Sequence, residues 1–195
     1  MKRVRRAIIG TIAATTITGS AMAGVGITMI HEANGSMTGT LDGVGFATSS
    51  FVVTGIGQTS DRTSFGSGFF IEYLSASISI DGLGSFDIFS PVGTFVNNSA
   101  QIVGFSRSNG GNVDLDRCNG PSNGACSAWD MTTSIGPHSG SGDVLQWSAM
   151  PQIETSGGIL IFDDASVNAT FTAIVPAPGA MALLGVFAPI AARRR

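Results

Sequence analysis

Ala76-Ser77-Ile78-Ser79-Ile80-Asp81-Gly82 alternates strictly, with Ile78 and Ile80 on one side and Ser77, Ser79 and Asp81 on the other. A period of two sets the isoleucines on one face of a pleated strand and the polar groups on the face in water, and Asp81-Gly82 supplies a turn at its end. The same pattern recurs later, where Val167, Ala169, Phe171 and Ala173 alternate with Asn168, Thr170 and Thr172. Both stretches read as strands of a sheet covered on one side. From Gly35 onward, short apolar runs are separated by Gly, Ser, Asn and Asp, with no sustained helical period. Further strands are expected at Ser36–Leu41, Ser50–Gly57, Phe69–Leu74, Ser85–Phe89, Gly93–Val96, Gln101–Ser106, Trp129–Thr133, Val144–Ser148 and Gly158–Phe162. About eleven short strands at this spacing predict an all-β fold, a single β-sandwich or jelly-roll-like domain. Two packed sheets would let most of the 12 phenylalanines share one core. No convincing internal period points to a propeller or solenoid. Ser108–Ser127 and Pro137–Asp143 read as Gly-rich loops.

The two ends of the sequence differ from this middle. Lys2, Arg3, Arg5 and Arg6 precede the uncharged run Ala7–Thr18, and Ser20-Ala21-Met22-Ala23 offers the small residues a signal peptidase accepts. Residues 1–23 therefore read as a secretory signal peptide cut after Ala23, with Ala21 and Ala23 at the cleavage site. The basic residues are concentrated at the ends. Between them only Arg62, Arg107 and Arg117 stand against all 13 acidic residues, a formal charge of −10 for 24–176. Such a body repels nucleic acid.

Ala177–Ala192 carries no charge and Arg193-Arg194-Arg195 follows. As a helix, these 16 residues would reach about 24 Å, a marginal span for a hydrocarbon core of about 30 Å. Arginines beyond the run would stay on the cytoplasmic side, as would the basic N-terminal segment, so the acidic body between them is expected outside. Pro176 and Pro178 hold Val175–Gly179 extended just before the apolar run, the form in which a protease reads a chain.

Val175-Pro176-Ala177-Pro178-Gly179, the run Ala180–Gly185 and Arg193-Arg194-Arg195 together resemble a PEP-CTERM sorting signal. The resemblance implies recognition near Pro176–Pro178 by an exosortase-type membrane enzyme, removal of the apolar segment, and delivery to the surface of a bacterium that makes exopolysaccharide. Ala177 stands where the family name has Glu, so the segment resembles the Pro-Ala-Pro-Gly variant, and Pro189 interrupts the apolar run. Gly39-Thr40-Leu41, Ile80–Gly84, Ile135-Gly136-Pro137 and Ala169–Ala173 resemble the small ectodomains that precede such signals. That likeness implies a boundary, with an ectodomain over 24–174 and the sorting signal over 175–195. The partners implied are signal peptidase and the secretion machinery, the processing enzyme, the membrane before processing, and exopolysaccharide.

Cys118 and Cys126 enclose Asn-Gly-Pro-Ser-Asn-Gly-Ala, a turn-forming run. Outside the cytoplasm they would form a local disulfide, worth roughly 2–3 kcal/mol by chain entropy. Catalytic signals are sparse. His138 lies beside Ser139, Ser141 and Asp143, but no nucleophile elbow accompanies them, and the chain reads as a non-enzyme, a secreted hydrolase being the remote alternative. His31, close behind the expected cleavage point, reads as solvated. Asp114-Leu115-Asp116 followed by Gly120 departs from a calcium loop, with Cys118 at a ligand position and Ala125 where a bidentate Glu belongs. Asp163-Asp164 and the scattered Asp42, Asp61, Asp87, Asp130 and Glu154 define no metal or glycosidase pair. Gly66-Ser67-Gly68 and Gly82-Leu83-Gly84 complete no nucleotide fingerprint, so no cofactor is expected. Trp129, Trp147 and Tyr73 would stack on a sugar in a carbohydrate-binding module, but read first as core residues. A surface structural or interaction protein is the leading expectation, and a carbohydrate- or calcium-dependent binding module the alternative.

Overall fold

The computed structural model describes residues 24–107, 113–115, 124–143, 152–162 and 166–177. The alternating isoleucine stretch forms a strand over Ser75–Ile80 with Ala76, Ile78 and Ile80 buried, and Gly84–Ile88 returns antiparallel beside it. The turn between them is closed by Leu83 N–H donating to the Ile80 carbonyl at 3.0 Å, and Gly82 there has φ of +79°, which only glycine adopts without strain.

In chain order the strands are β1 (Gly26–Leu41), β2 (Val44–Gln58), β3 (Thr63–Phe65), β4 (Gly68–Glu72), β5 (Ser75–Ile80), β6 (Gly84–Ile88), β7 (Val92–Asn97), β8 (Ile102–Arg107), β9 (Val113–Leu115), β10 (Ile135–Asp143), β11 (Ile153–Thr155), β12 (Gly158–Phe162) and β13 (Ser166–Ile174). One short helix, α1 (Gly124–Ala128), lies between β9 and β10. The fold is all-β, as the alternation requires. Several boundaries differ from expectation. The first strand begins at Gly26 rather than Ser36, because Ile27, Met29, His31 and Ala33 continue the inward period of Met37 and Gly39. Pro137–Asp143 is not a loop but most of β10, since glycine and serine pair well enough when β13 offers a complete partner. Trp129–Thr133 is a series of bends rather than a strand. The expected loop 108–127 contains β9 and α1, and Val144–Ser148 lies outside the described residues.

β1 organises the larger sheet. It pairs along one edge with β2 from Gly26↔Gln58 to Leu41↔Val44, turning through Asp42-Gly43, both at positive φ. That is the geometry of a tight two-residue hairpin, for which Asp-Gly is a preferred pair. Along its other edge Thr28–Asn34 pairs with β13, and Gly39–Leu41 pairs with β12. The sheet order is β10-β13-β1-β12-β11-β6-β5-β2, and the β1–β2 pairing joins its members into a closed, barrel-like circuit. The circuit's narrowest link is β6 with β11, where Thr155 pairs with Ile88 and the flanking bonds are Phe89 N–H to Glu154 carbonyl and Ser156 N–H to Asp87 carbonyl. A smaller antiparallel sheet runs β3-β4-β7-β8-β9.

Two apolar clusters result. The first lies inside the circuit and contains Met37, Phe51, Val53, Ile78, Ile80, Leu160 and Phe162, joined by Val92 and Phe105 of the smaller sheet. The second gathers Ile27 and Met29 of β1 and Phe171 and Ala173 of β13 with Ile71, Val96 and Val103 of the smaller sheet, and includes Cys126, Trp129 and Met131. Phe162 is fully buried, its ring centroid 4.7 Å from Phe51 and 5.4 Å from Phe46. Phe162→Ala is expected to cost about 3–5 kcal/mol, read as a lowered urea midpoint at unchanged slope.

Candidate functional site

Three places hold the polar chemistry of the described residues: a buried triangle between the sheets, an open groove at one end of the larger sheet, and the exit of the chain after β13.

His31 points inward from β1 at the junction of the two clusters, between Met29 of one and Ala33 of the other. The expectation that it is solvated is therefore wrong: it is 3% exposed. Its ring lies 4.8 Å from Phe171 and 6.1 Å from Phe105. Its Nε2 is 2.8 Å from Thr94 Oγ1 and 3.3 Å from the Tyr73 hydroxyl, which also bonds Thr94. Three strands of two sheets thus converge on one triangle of hydrogen bonds, because β1 brings His31, β7 brings Thr94, and the end of β4 brings Tyr73. Tyr73 is anchored by its N–H to the Val92 carbonyl and lies flat over Gly55 of β2. A Cβ at Gly55 would meet the Tyr73 ring at 2.2 Å, so that glycine makes room for the phenol. Burial without a charged partner pushes His31 down to about 3, and it pushes the Tyr73 phenol up despite the bond to Thr94. The triangle is neutral in the folded state, with His31 and Thr94 buried and Tyr73 half-buried.

The groove, of about 540 Å³, lies where β1 bulges. Asn34 pairs with Ser50 and Met37 with Thr48, so β1 runs one residue longer than β2 here and its Gly35-Ser36 segment bows outward. The groove is lined by Gly35, Ser36, Thr48, Ser49, Asp81 and Gly82 among others. Ser49 Oγ donates to Asp81 Oδ2 at 2.9 Å and Thr48 Oγ1 to the Asp81 carbonyl at 3.1 Å, which fixes the carboxylate at the rim. Hydroxyls, a carboxylate and backbone on an open surface suit weak polar binding; they contain no base or nucleophile pair.

At the end of β13, Val175 N–H donates to Ser134 Oγ at 2.9 Å, and the same hydroxyl lies 3.3 Å from the Val175 carbonyl. Pro176 and Ala177 are exposed immediately afterwards. The Pro-Ala-Pro-Gly segment therefore begins at the residue after Val175, whose bonds to Ser134 tie the end of β13 to the body.

Of the other sequence candidates, His138 and Ser139 are separated by the strand itself. His138 pairs with the inward Phe171 and Ser139 with Thr170 on the outer face, where their hydroxyls lie 3.1 Å apart. Neighbouring residues of a strand face opposite ways, so this pair forms no triad geometry. Trp129 is buried against Phe171 at 5.5 Å and donates Nε1–H to the Thr133 carbonyl, and Tyr73 belongs to the triangle, so neither presents a sugar-stacking face. Asp130 is ion-paired with Arg62 at 3.0 Å, and Arg62 lies 4.5 Å above the Phe69 ring. Its carboxyl is held below the usual range first by the Thr132 hydroxyl, with Arg62 assisting. Cys126 is disulfide-bonded; the only other cysteine of the sequence, Cys118, lies outside the described residues. So do Ala21, Ala23, Asp116, Trp147, Asp163, Asp164, Pro178, Gly179 and Arg193–Arg195. Among the described residues, no group of three or more His, Cys, Asp or Glu could hold a metal ion, and no helix is long and apolar enough to cross a membrane.

No protein-family model matches the chain, and comparison with curated proteins and with solved structures gives no match.

A histidine beside Glu32 near the start of the body looks like a wetted residue by sequence alone; the signal for its burial is its place in the inward period Ile27, Met29, His31, Ala33. The consequence is a pH dependence of definite sign. The unfolded chain takes up a proton on His31 near pH 6.5 while the folded one resists until about 3. This contribution is intact above pH 6.5 and is lost progressively as pH falls toward 3, by about 1.4 kcal/mol per pH unit. Urea midpoints measured between pH 7.5 and pH 4 are expected to fall more steeply for the wild type than for His31→Gln. Gly55→Ala is expected to cost about 1–3 kcal/mol through displacement of Tyr73, with part of the loss recovered in the double variant with Tyr73→Leu.

Proposed function

We propose that this chain is an exported cell-surface or extracellular-matrix protein, structural or interactive in role, sorted through the Pro-Ala-Pro-Gly segment that follows its last strand. In this reading residues 1–23 direct export, the β-rich body passes outside, and the apolar run Ala177–Ala192 enters the membrane until an exosortase-type enzyme cuts near Pro176–Pro178. The body is a sandwich variant whose larger sheet has curled until two of its strands meet. Its formal charge of −10, without a lysine, is suited to an exterior site and to solubility among like-charged chains.

The observation that carries the reading is the order of events at the end of β13. The sheet-bonded residue Val175, the exposed Pro176 and Ala177, and an uncharged run closed by three arginines follow without an intervening linker. A body so closely coupled to the segment needs it as an address rather than as core. The Cys126 disulfide fits an oxidising compartment.

The groove favours one second reading, a carbohydrate-binding module. Ser36, Ser49 and Asp81 offer donors and an acceptor to sugar hydroxyls on an open surface. In that case Asp81→Asn and Ser49→Ala would weaken retention on an affected polysaccharide, whereas Trp129→Ala would act through stability alone.

Mass spectrometry of the mature protein from cells that possess the processing machinery tests the main reading. The expected species begins at Gly24 and lacks Ala180–Arg195, and replacing both Pro176 and Pro178 by alanine is expected to leave the tail attached. Recovery of the uncut chain with both ends intact from the cytosol would sink it.

A further inference from the structure

The outer face of the larger sheet changes character along its strands. At the end where β1 begins and β13 finishes, one cross-strand row reads Ile174, Thr28, Ile56 and Ser75, by the pairings Ile174↔Thr28, Thr28↔Ile56 and Ile56↔Ser75. The next strand continues it with Phe89, one residue beyond the pair Ala76↔Ile88. Leu74 adjoins the row, its N–H donating to the Ile56 carbonyl at 2.8 Å. Four large apolar side chains are open here: Ile174 47%, Ile56 47%, Leu74 63% and Phe89 65% exposed. At a strand spacing of about 4.8 Å, the row from Ile174 to Phe89 extends roughly 19 Å. The next row inward carries Thr172, Ile30, Thr54, Ser77 and Asp87, of which only the half-buried Ile30 is apolar, and the far end of the same face carries Asn168, Asn34, Ser50 and Asp81. Val44, Leu83 and Ile159 are open elsewhere on the molecule, but along this rim the exposed apolar groups follow one cross-strand row, and a contiguous exposed patch of this kind marks a contact surface.

Both ends of the body leave from that rim. Thr28 pairs with Ile174, so Gly24 and Ala177 lie on the same side of the molecule, with Val25 accepting from Thr59 N–H beside them. Ala177, the first residue of the uncharged run, is the third residue after Ile174, so three residue steps join them. Fully extended, they reach about 10 Å at most. The headgroup region on one side of a bilayer is roughly 5–8 Å deep. A run that begins in the hydrocarbon therefore holds the rim at the boundary between headgroups and acyl chains.

We propose that the rim formed by Ile56, Leu74, Phe89 and Ile174 is a lipid-contacting surface, which rests on the bilayer interface while the uncut tail is embedded and becomes free once the tail is removed. This rests on the membrane entry of the run after Ala177 proposed above. The occupant is a zwitterionic lipid surface. The row itself has no charge, and a body of net −10 gains nothing from anionic lipid. Contact is by apolar burial to the shallow depth, about 5–10 Å, that interfacial elements reach.

The test uses the chain from Gly24 to Arg195 in phosphatidylcholine vesicles, with a tryptophan added at the rim or at the opposite end of β1. Phe89→Trp and Leu74→Trp are expected to add emission that is blue-shifted and loses most of its intensity to lipids brominated at shallow acyl positions. Val44→Trp, 72% exposed at the far hairpin, is expected to add emission that stays red and unquenched. Exposed positions tolerate the ring, and far-ultraviolet circular dichroism checks the fold of each variant. If the chain floats with the vesicles but neither rim tryptophan is quenched, the rim proposal is overturned and the membrane tail stands. If the chain fails to float, both are overturned. Stronger rim quenching in anionic vesicles than in zwitterionic ones would reject apolar burial as the basis of contact.

Discussion

A strand has two hydrogen-bonding edges, and the sixteen residues of β1 use theirs for three partners. β2 occupies one edge throughout, while β13 and β12 divide the other. That division sets the shape of the molecule. The half of β1 beside β12 belongs to the closed circuit and buries its inward residues among Phe51, Ile80 and Phe162; the half beside β13 lies open and needs the smaller sheet to cover Ile27 and Met29. Two cores follow from one strand with two kinds of neighbour. The same pairing brings Gly24 and Ala177 to one end, so any constraint on either chain end acts on the same rim.

The triangle of His31, Tyr73 and Thr94 sits where those two regimes meet. An apolar residue there would fill the seam with less risk, because each buried polar group must keep its partner. The triangle instead demands that β1, β4 and β7 arrive in fixed register, which gives the junction between sheets a directionality that packing alone lacks. Gly55 is part of the same requirement, since the Tyr73 ring occupies the space its side chain would take. The outer surface has a complementary division: a rim of exposed apolar groups next to the chain ends, a mixed middle in which threonine and serine flank the half-buried Ile30 and Val52, and asparagine and aspartate at the bulge.

Strand identity was legible wherever the period of two was long enough to be unambiguous, as at Ser75–Ile80 and Ser166–Ile174. It failed where the residues were weak strand formers by themselves. Ile135–Asp143, with four residues that are Gly or Pro, is a strand only because β13 supplies its partners, and Gly136 bends away from a Phe171 carbonyl that a Cβ would strike at 2.4 Å. Trp129–Thr133 failed in the opposite direction. Its apolar residues are buried, but from a bent segment that follows α1, with the Asn98 side chain donating to the carbonyls of Cys126 in that helix and of Trp129 at the start of the segment. The two terminal segments stand apart in the sequence because charge, apolar length and proline act locally. The groove was not, since a bulge in β1, the start of β2 and the β5–β6 turn meet there from distant parts of the chain.

Local chemistry in the sequence determined that this chain would be β-rich, that its body would be acidic, and that Asp81-Gly82 would turn. These properties depend on side-chain alternation, formal charge and backbone freedom within a few residues. Only the tertiary structure decided that the larger sheet closes on itself, that His31 is buried rather than wetted, and that Ile174, Ile56 and Phe89 share a row. Those outcomes depend on which strand occupies each edge of β1, a choice made by long-range hydrogen bonding and burial that no local pattern encodes.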